Sequence, residues 1–300
     1  MTAWHKRFIV VAVVAMVGLA VGGWWMIARA GPRLLEFPST STIATQPAFS
    51  YDDYVAALSA YVDDRGMVDY PSLKDDRQQL DTFAALLARV SAEQYEKWSA
   101  AARIAFWINA YNALTLEAIL EHYPIKASLA ASLIYPENSI RQIPGVWGKL
   151  QFRVTGRRMT LNQIEHDTLR TQFDEPRIHM ALVCAAMGCP PLRNEPYLGD
   201  KLDAQLDDQT RRFLAHPDKF RIDRDANTVF LSPIFKWFGQ DFVKRYGTDQ
   251  KFTNHNDAQR AVLNFASRYL EPDDRRYLET GTYRIEYTDY DWSLNQQETK

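Results

Sequence analysis

MTLNQIEHDTLRTQFDEPRIHMALVCAAMGCPPLRNEPY, residues 159–197, gathers more reactive side chains than any other stretch of this chain. Thr160 with Gln163 three positions on is a capping box and predicts a helix. That helix carries Glu165, His166, Leu169 and Arg170. His166 and Arg170 are four apart and share a face, with Glu165 about a hundred degrees round from the imidazole. From Arg177 the run RIHMALVC is apolar on both faces, which predicts a central buried strand. Period two then puts Ile178, Met180, Leu182 and Cys184 on one side and His179, Ala181 and Val183 on the other. On that reading His179 is a poor partner for Cys184, and His166 is better placed. The strand ends in a loop, Ala185–Gly188, flanked by the only two cysteines, Cys184 and Cys189.

The surrounding pattern sets the fold class. Residues 101–122 are apolar on nearly every face and end before Pro124, as expected for a buried helix. Asn109 and Asn112, three apart, share one face of it. Buried amides need partners, so they either bind backbone from neighbouring loops or orient a catalytic group. Leu150, Phe152 and Val154 alternate with polar residues and turn through 155–158 into a hairpin with 159–161. Upstream, apolar spacing predicts helices over 54–62, from Ser72 onward, and from Ser91 through Trp98. Residues 125–145 carry no assignable pattern. Downstream, beyond Pro190-Pro191, come a helix through Leu202, Leu206, Phe213 and Leu214 to His216-Pro217, strands 220–222 and 229–231, and a helix opened by Ser232-Pro233 and closed at Gly247. A helix over 258–270 and a strand over 283–287 close the chain. With no regular βαβ alternation, this is an α+β fold. It forms a single globular domain over 50–295, with about seven helices and short, mostly antiparallel strands.

The N-terminus predicts the compartment. After a short N-terminal piece (1–7), residues 8–28 are uncharged and apolar, close to the roughly 20 residues a membrane-spanning helix needs. His5, Lys6 and Arg7 before the run orient it with the bulk of the chain periplasmic or extracellular, a single pass in the cytoplasmic membrane. Ala28-Arg29-Ala30 has the form of a signal-peptidase site, so cleavage near Ala30 and secretion is the alternative. Residues 29–49, rich in Pro, Ser and Thr, read as a linker. A net charge of −2 without basic runs excludes a nucleic-acid partner. The membrane and an unknown small molecule or peptide remain as partners, and the sequence does not determine the oligomeric state.

Three chemistries compete for the cysteines. A zinc site lacks a second ligand pair at the usual spacing, so no metal is expected, and no phosphate or dinucleotide loop calls for a cofactor. A Cys184–Cys189 disulfide suits an exported domain, as a local staple or a redox pair. Nucleophilic catalysis would take Cys184 as nucleophile, with Cys189 as second choice. His166 would be the base, with Glu165, Asn112 or Asn109 orienting it and the Ala185–Gly188 amides as oxyanion hole. Arg170 and Trp237 are binding candidates. If the domain only binds a peptide, glycan or protein, Trp147, Phe235, Trp237 and Trp292 would form its face.

FWINAYNALTLEAIL (106–120), TLNQIEHDTLR (160–170), RIHMALVCAAMGCPPLR (177–193), LSPIFKWFGQDF (231–242) and YDWSLN (290–295) stand in one order and spacing. In these the chain resembles the "domain of unknown function 547" family across roughly residues 50–295. The resemblance implies a bacterial exported or membrane-anchored protein, a family without an established general activity, and a site at Asn109, Asn112, Glu165, His166, Arg170 and Cys184. The resulting expectation is a thiol-dependent hydrolase or transferase on amide or peptide-like substrates.

Overall fold

Helix α5, Ala100–His122, is the axis of the fold. Ser99 caps it, its hydroxyl accepting from the Ala102 N–H at 3.1 Å. Every residue from Ile104 to Leu120 is buried. Each large side chain there contributes roughly 1.5–3 kcal/mol by leaving water. The single buried acid on α5, Glu117, is paired with Arg77 at 2.6 Å, as a charge at such depth requires.

A computed structural model describes residues 31–37 and 49–298. Helices α1 (Asp52–Tyr61), α2 (Tyr70–Asp75), α3 (Gln78–Arg89) and α4 (Ala92–Glu96) precede α5. The short α6 (Leu129–Ser132) follows, then the hairpin β1 (Leu150–Val154) and β2 (Arg157–Met159), paired Phe152 to Met159. The Leu35 N–H donates to the Gln151 carbonyl at 2.9 Å along the outer edge of β1. Then come a π-helical segment, Gln163–Leu169, running into α7 (Arg170–Gln172), and a 3₁₀ turn, Pro176–Met180. The remaining elements are α8 (Leu202–Leu214), β3 (Phe220–Asp223), β4 (Thr228–Leu231), α9 (Pro233–Tyr246), α10 (Asp257–Ala266), α11 (Pro272–Thr280) and β5 (Arg284–Tyr287). Strands β3 and β4 are antiparallel, whereas β5 joins β4 in parallel, Val229 opposite Ile285, after the crossover through α9–α11.

One apolar core surrounds α5 and a second lies between α8, α9, α10 and the β3–β5 sheet. Both sit within one compact unit, residues 34–300. The protein is therefore a mixed α+β domain, with eleven α-helices among the described residues. The excess over about seven comes from the short helix at 129–132, from 272–280, whose sequence PDDRRYLET has little apolar periodicity, and from the break that divides the helix expected from Ser72 onward into 70–75 and 78–89. The segment 8–28 lies outside the described residues. Among the described residues no helix is long and apolar enough to cross a membrane.

The expected strand over 177–184 is not a strand. Pro176 opens a 3₁₀ turn there, and the Glu175 side chain caps the Arg177 N–H at 3.2 Å. The run is apolar on both faces because it is buried between the two cores: Met180 belongs to the second, Leu182 and Val183 to the first. Its backbone is satisfied by α5 instead of by a sheet. Asn112 Nδ2 donates to the Ala181 carbonyl at 3.0 Å, and its Oδ1 accepts the Val183 N–H at 2.9 Å. Asn109 treats Tyr197 the same way, donating to its carbonyl at 2.7 Å and accepting its N–H at 2.9 Å. These two amides clamp the cysteine segment at both ends. Both side-chain amides are thus engaged with backbone and with neither His166 nor the cysteines.

Truncating such a side chain leaves two buried backbone groups unpaired, at about 1–3 kcal/mol each. Asn112→Ala is therefore expected to lower the unfolding free energy by about 2–4 kcal/mol in urea denaturation. A loss below about 1 kcal/mol would show the clamp to be dispensable.

Candidate active site

A pocket of about 330 Å³ opens where the π-helical segment, the cysteine loop, α9 and the C-terminal segment meet. Glu165, His166, Cys184, Cys189 and Trp237, all singled out in the sequence, line it. So do His179, which the expected strand turned away from Cys184, and Tyr290, which was not singled out. Asn109 and Asn112 lie behind it in the core.

The first wall is the π-helical segment. Thr160 and Gln163 cap each other there, at 2.9 and 3.2 Å. The Arg170 N–H then reaches back five residues to the Glu165 carbonyl. Such a widened turn is rare and frequent at functional sites. It brings Glu165 and His166 to the pocket together, with Glu165 Oε1 and His166 Nδ1 3.9 Å apart. Burial pushes the Glu165 carboxyl up to about 7, against the Tyr111 hydroxyl and the Arg170 charge, which favour ionisation. Burial, and next the Arg170 charge, lower His166. Arg170 Nη1 stands 3.1 Å from His166 Nδ1. A guanidinium can only donate, so Nδ1 is the accepting nitrogen and the neutral ring carries its proton on Nε2.

The second wall is α9, opened by Pro233 behind the Ser232 cap. Asp241 on this helix receives Arg170 through two bonds, Nε to Oδ2 at 2.6 Å and Nη2 to Oδ1 at 2.9 Å. It also receives His179 Nε2 at 2.8 Å. Burial works to raise Asp241, but the bonds from His179 and Arg170 outweigh it and hold the carboxyl well below its usual range. Burial lowers His179, with Asp241 opposing. With Nε2–H donated to Asp241, the Nδ1 lone pair of His179 is the basic one. Phe238, three residues before Asp241 and so on the same helix face, stacks on the His179 ring at 4.2 Å. The 3₁₀ turn thus brings to the pocket the histidine that strand alternation would have turned away.

The floor is the cysteine pair. Cys184 and Cys189 are joined as a disulfide. The Tyr290 hydroxyl lies 3.2 Å from one sulfur and 3.1 Å from the other, and burial raises Tyr290 far above its ordinary value. Gly188 is required by this ring, since a Cβ there would lie 2.7 Å from its atoms. The C-terminal segment that delivers Tyr290 also consumes the loop's amides. Met187 N–H donates to the Ser293 carbonyl at 2.8 Å and Gly188 N–H to that of Asp291 at 2.7 Å. Those two amides are therefore unavailable as an oxyanion hole.

Aromatics form the rim. Trp237, half exposed, stands against Tyr290 and Trp292 at 4.9 and 6.2 Å. Trp147 meets Trp292 at 6.2 Å. Phe235 is buried in the second core and contributes nothing to this face. Among the described residues no three His, Cys, Asp or Glu side chains converge to hold a metal ion. Sequence reasoning missed Asp241, Tyr290 and His179. Asp241 and Tyr290 stand within two of the quoted family motifs, 231–242 and 290–295, the one signal that could have found them.

Glu165 supplies a pH test. Its folded-state value, about 7, lies above the ordinary 4.5, so the folded protein holds this proton more tightly than the unfolded chain. The stability this contributes is complete below about pH 4.5 and lost as pH rises through 7. Glu165→Gln should therefore gain on the parent from pH 5 to pH 8, by on the order of 2–3 kcal/mol in denaturant titrations. A pH-independent difference would mean that the carboxyl is not perturbed.

No curated protein and no solved structure shows significant similarity to the chain. A family model described as "Protein of unknown function, DUF547" matches residues 95–214. This match takes in α5, the π-helical segment, the 3₁₀ turn, both cysteines and α8, and over those residues the chain is similar to the DUF547 family.

Proposed function

We propose that the pocket is the active centre of a thiol-dependent hydrolase or transferase acting on amide or peptide-like substrates, with Cys184 as nucleophile. One observation carries the reading: Cys184 shares its cavity with His179, whose Nε2–H is bonded to Asp241 at 2.8 Å. Nucleophile, base and orienting carboxylate are the three groups this chemistry needs. Reduction by a dithiol comes first, giving two thiols on this chain and a disulfide on the reductant. His179 Nδ1 then takes the Cys184 proton, and the thiolate attacks the substrate carbonyl carbon. Collapse of the tetrahedral adduct expels the amine, which leaves with the proton from His179. Water or an acceptor amine attacks the thioester, gives its proton to His179, and releases Cys184. The Tyr290 hydroxyl, beside the sulfur, and His166 Nε2–H are the donors available to the oxyanion. His166 acts as a donor and not as the base, because Arg170 occupies Nδ1.

The same reading takes residues 8–28 as a membrane anchor or export signal, and an oxidising compartment suits the disulfide. A second reading, a non-catalytic peptide- or glycan-binding domain, is favoured by the bonded cysteines beneath the Trp147, Trp237 and Trp292 rim. Alkylation separates the two. After reduction, Cys184 should react with iodoacetamide well below the ordinary thiol pKa of about 8.5 and faster than Cys189, as mapped by peptide mass. His179→Gln or Asp241→Asn should slow it roughly tenfold at neutral pH. Ordinary thiol behaviour, indifferent to both substitutions, would leave the binding reading.

A further inference from the structure

Resting on the reading of this pocket as a substrate site, we propose that Arg141 forms a subsite there for a substrate carboxylate, so that the preferred ligands are peptide-like acids. Arg141 sits in a 3₁₀ turn, Ile140–Gln142, in the stretch without an assignable sequence pattern. That turn is built to stay in place. The Ser139 hydroxyl accepts the Arg141 N–H at 3.1 Å. The buried Gln142 side chain ties it down by accepting the Ser128 N–H at 2.9 Å and donating to the Pro136 carbonyl at 3.0 Å.

The guanidinium itself lines the pocket inside an aromatic cage. Its Cζ lies 4.5 Å from the Tyr135 ring, 4.7 Å from Trp292 and 5.5 Å from Trp147. Rings over its faces favour the cation and leave its edges for hydrogen bonding. One edge nitrogen, Nη2, donates to the Tyr135 hydroxyl at 2.5 Å. Nε is buried with no partner. Among the described residues no Asp or Glu pairs with Arg141, whereas Arg170 is held by Asp241 through two bonds. A caged, uncompensated guanidinium at a pocket wall is a donor set awaiting an anion.

The anion that fits is a carboxylate. A single planar fork, with no other Lys or Arg among the described residues that line the pocket, matches one carboxylate better than a doubly charged phosphate. Glu165 in the same cavity adds negative charge as it ionises, which opposes a dianion further. The apolar rim then takes the uncharged part of the ligand.

The test is binding to the full-length, disulfide-bonded protein, followed by tryptophan fluorescence, which Trp147 and Trp292 should report. The probes are N-acetyl-alanyl-alanine, its C-terminal amide and methyl phosphate. The acid should bind at least about tenfold more tightly than the amide. Arg141→Gln should level the two, leaving the affinity for the amide as it was. Arg141→Lys should retain part of the preference, because it keeps the charge and loses the fork. Equal affinities in the parent protein, no saturation by the acid below about 10 mM, or a preference surviving Arg141→Gln would each overturn the subsite. Methyl phosphate binding more tightly than the acid would overturn the carboxylate assignment. No thiol takes part in these measurements. A carboxylate preference without Cys184 reactivity would thus sink the thiol chemistry alone, and the converse would sink the subsite alone.

Discussion

Two asparagine side chains on a buried helix decide where the reactive groups of this protein can be. Asn109 and Asn112 face outward from α5 by one turn's spacing, and each closes a pair of hydrogen bonds with the backbone of the segment that follows the π-helical stretch. A helix has no free backbone groups with which to hold an irregular neighbour, so a side-chain amide must imitate a strand edge. Because the amides are buried, the low dielectric strengthens these bonds and makes their loss costly. The 181–197 backbone is pinned at Ala181, Val183 and Tyr197, and the loop between carries both cysteines. The C-terminal segment then closes over that loop from the other side, through Met187 and Gly188, and delivers Tyr290 to the sulfurs.

The charges around the pocket form one linked set. Asp241 is the hub: it takes Arg170 through two bonds and His179 through a third. Arg170 in turn reaches His166. Each link settles a protonation question that the residue types alone leave open. Asp241 remains ionised, His179 has its Nδ1 lone pair free, and His166 keeps its proton on Nε2. Glu165 lies beside this set but mostly out of water, and its carboxyl therefore titrates near neutrality. Two imidazoles thirteen residues apart in sequence, alike in composition and each lowered by burial, are bonded through different ring nitrogens by their partners.

Much of this was legible from local pattern. The boundaries of α5 and α9, the existence of α8, the β1–β2 and β3–β4 hairpins and the Thr160 cap follow from apolar spacing and from Ser, Thr, Pro and Gly punctuation, which act over a few residues. The grouping of Glu165, His166 and Cys184 was legible too, because reactive types crowd one segment. The RIHMALVC run was misread as a strand because periodicity cannot separate a buried strand from a buried irregular segment. That one error turned His179 away from the cysteines. Arg141 lay in a stretch without pattern, since its turn is held by Gln142 and Ser139 side chains and not by apolar repeat.

By itself, then, the sequence determined the α+β class, the buried central helix, most element boundaries and the segment that carries the reactive side chains, because those depend on neighbours within a turn or two. Only the tertiary structure decided which of those side chains meet. Asp241, Tyr290 and Arg141 come to the pocket from elements 57, 106 and 43 residues from Cys184, and no local signal encodes a contact closed by packing across two cores. The pair of asparagines marks the division most clearly. Their presence on a buried face announced that they must bond to something, and only the folded chain determined that the partner was backbone.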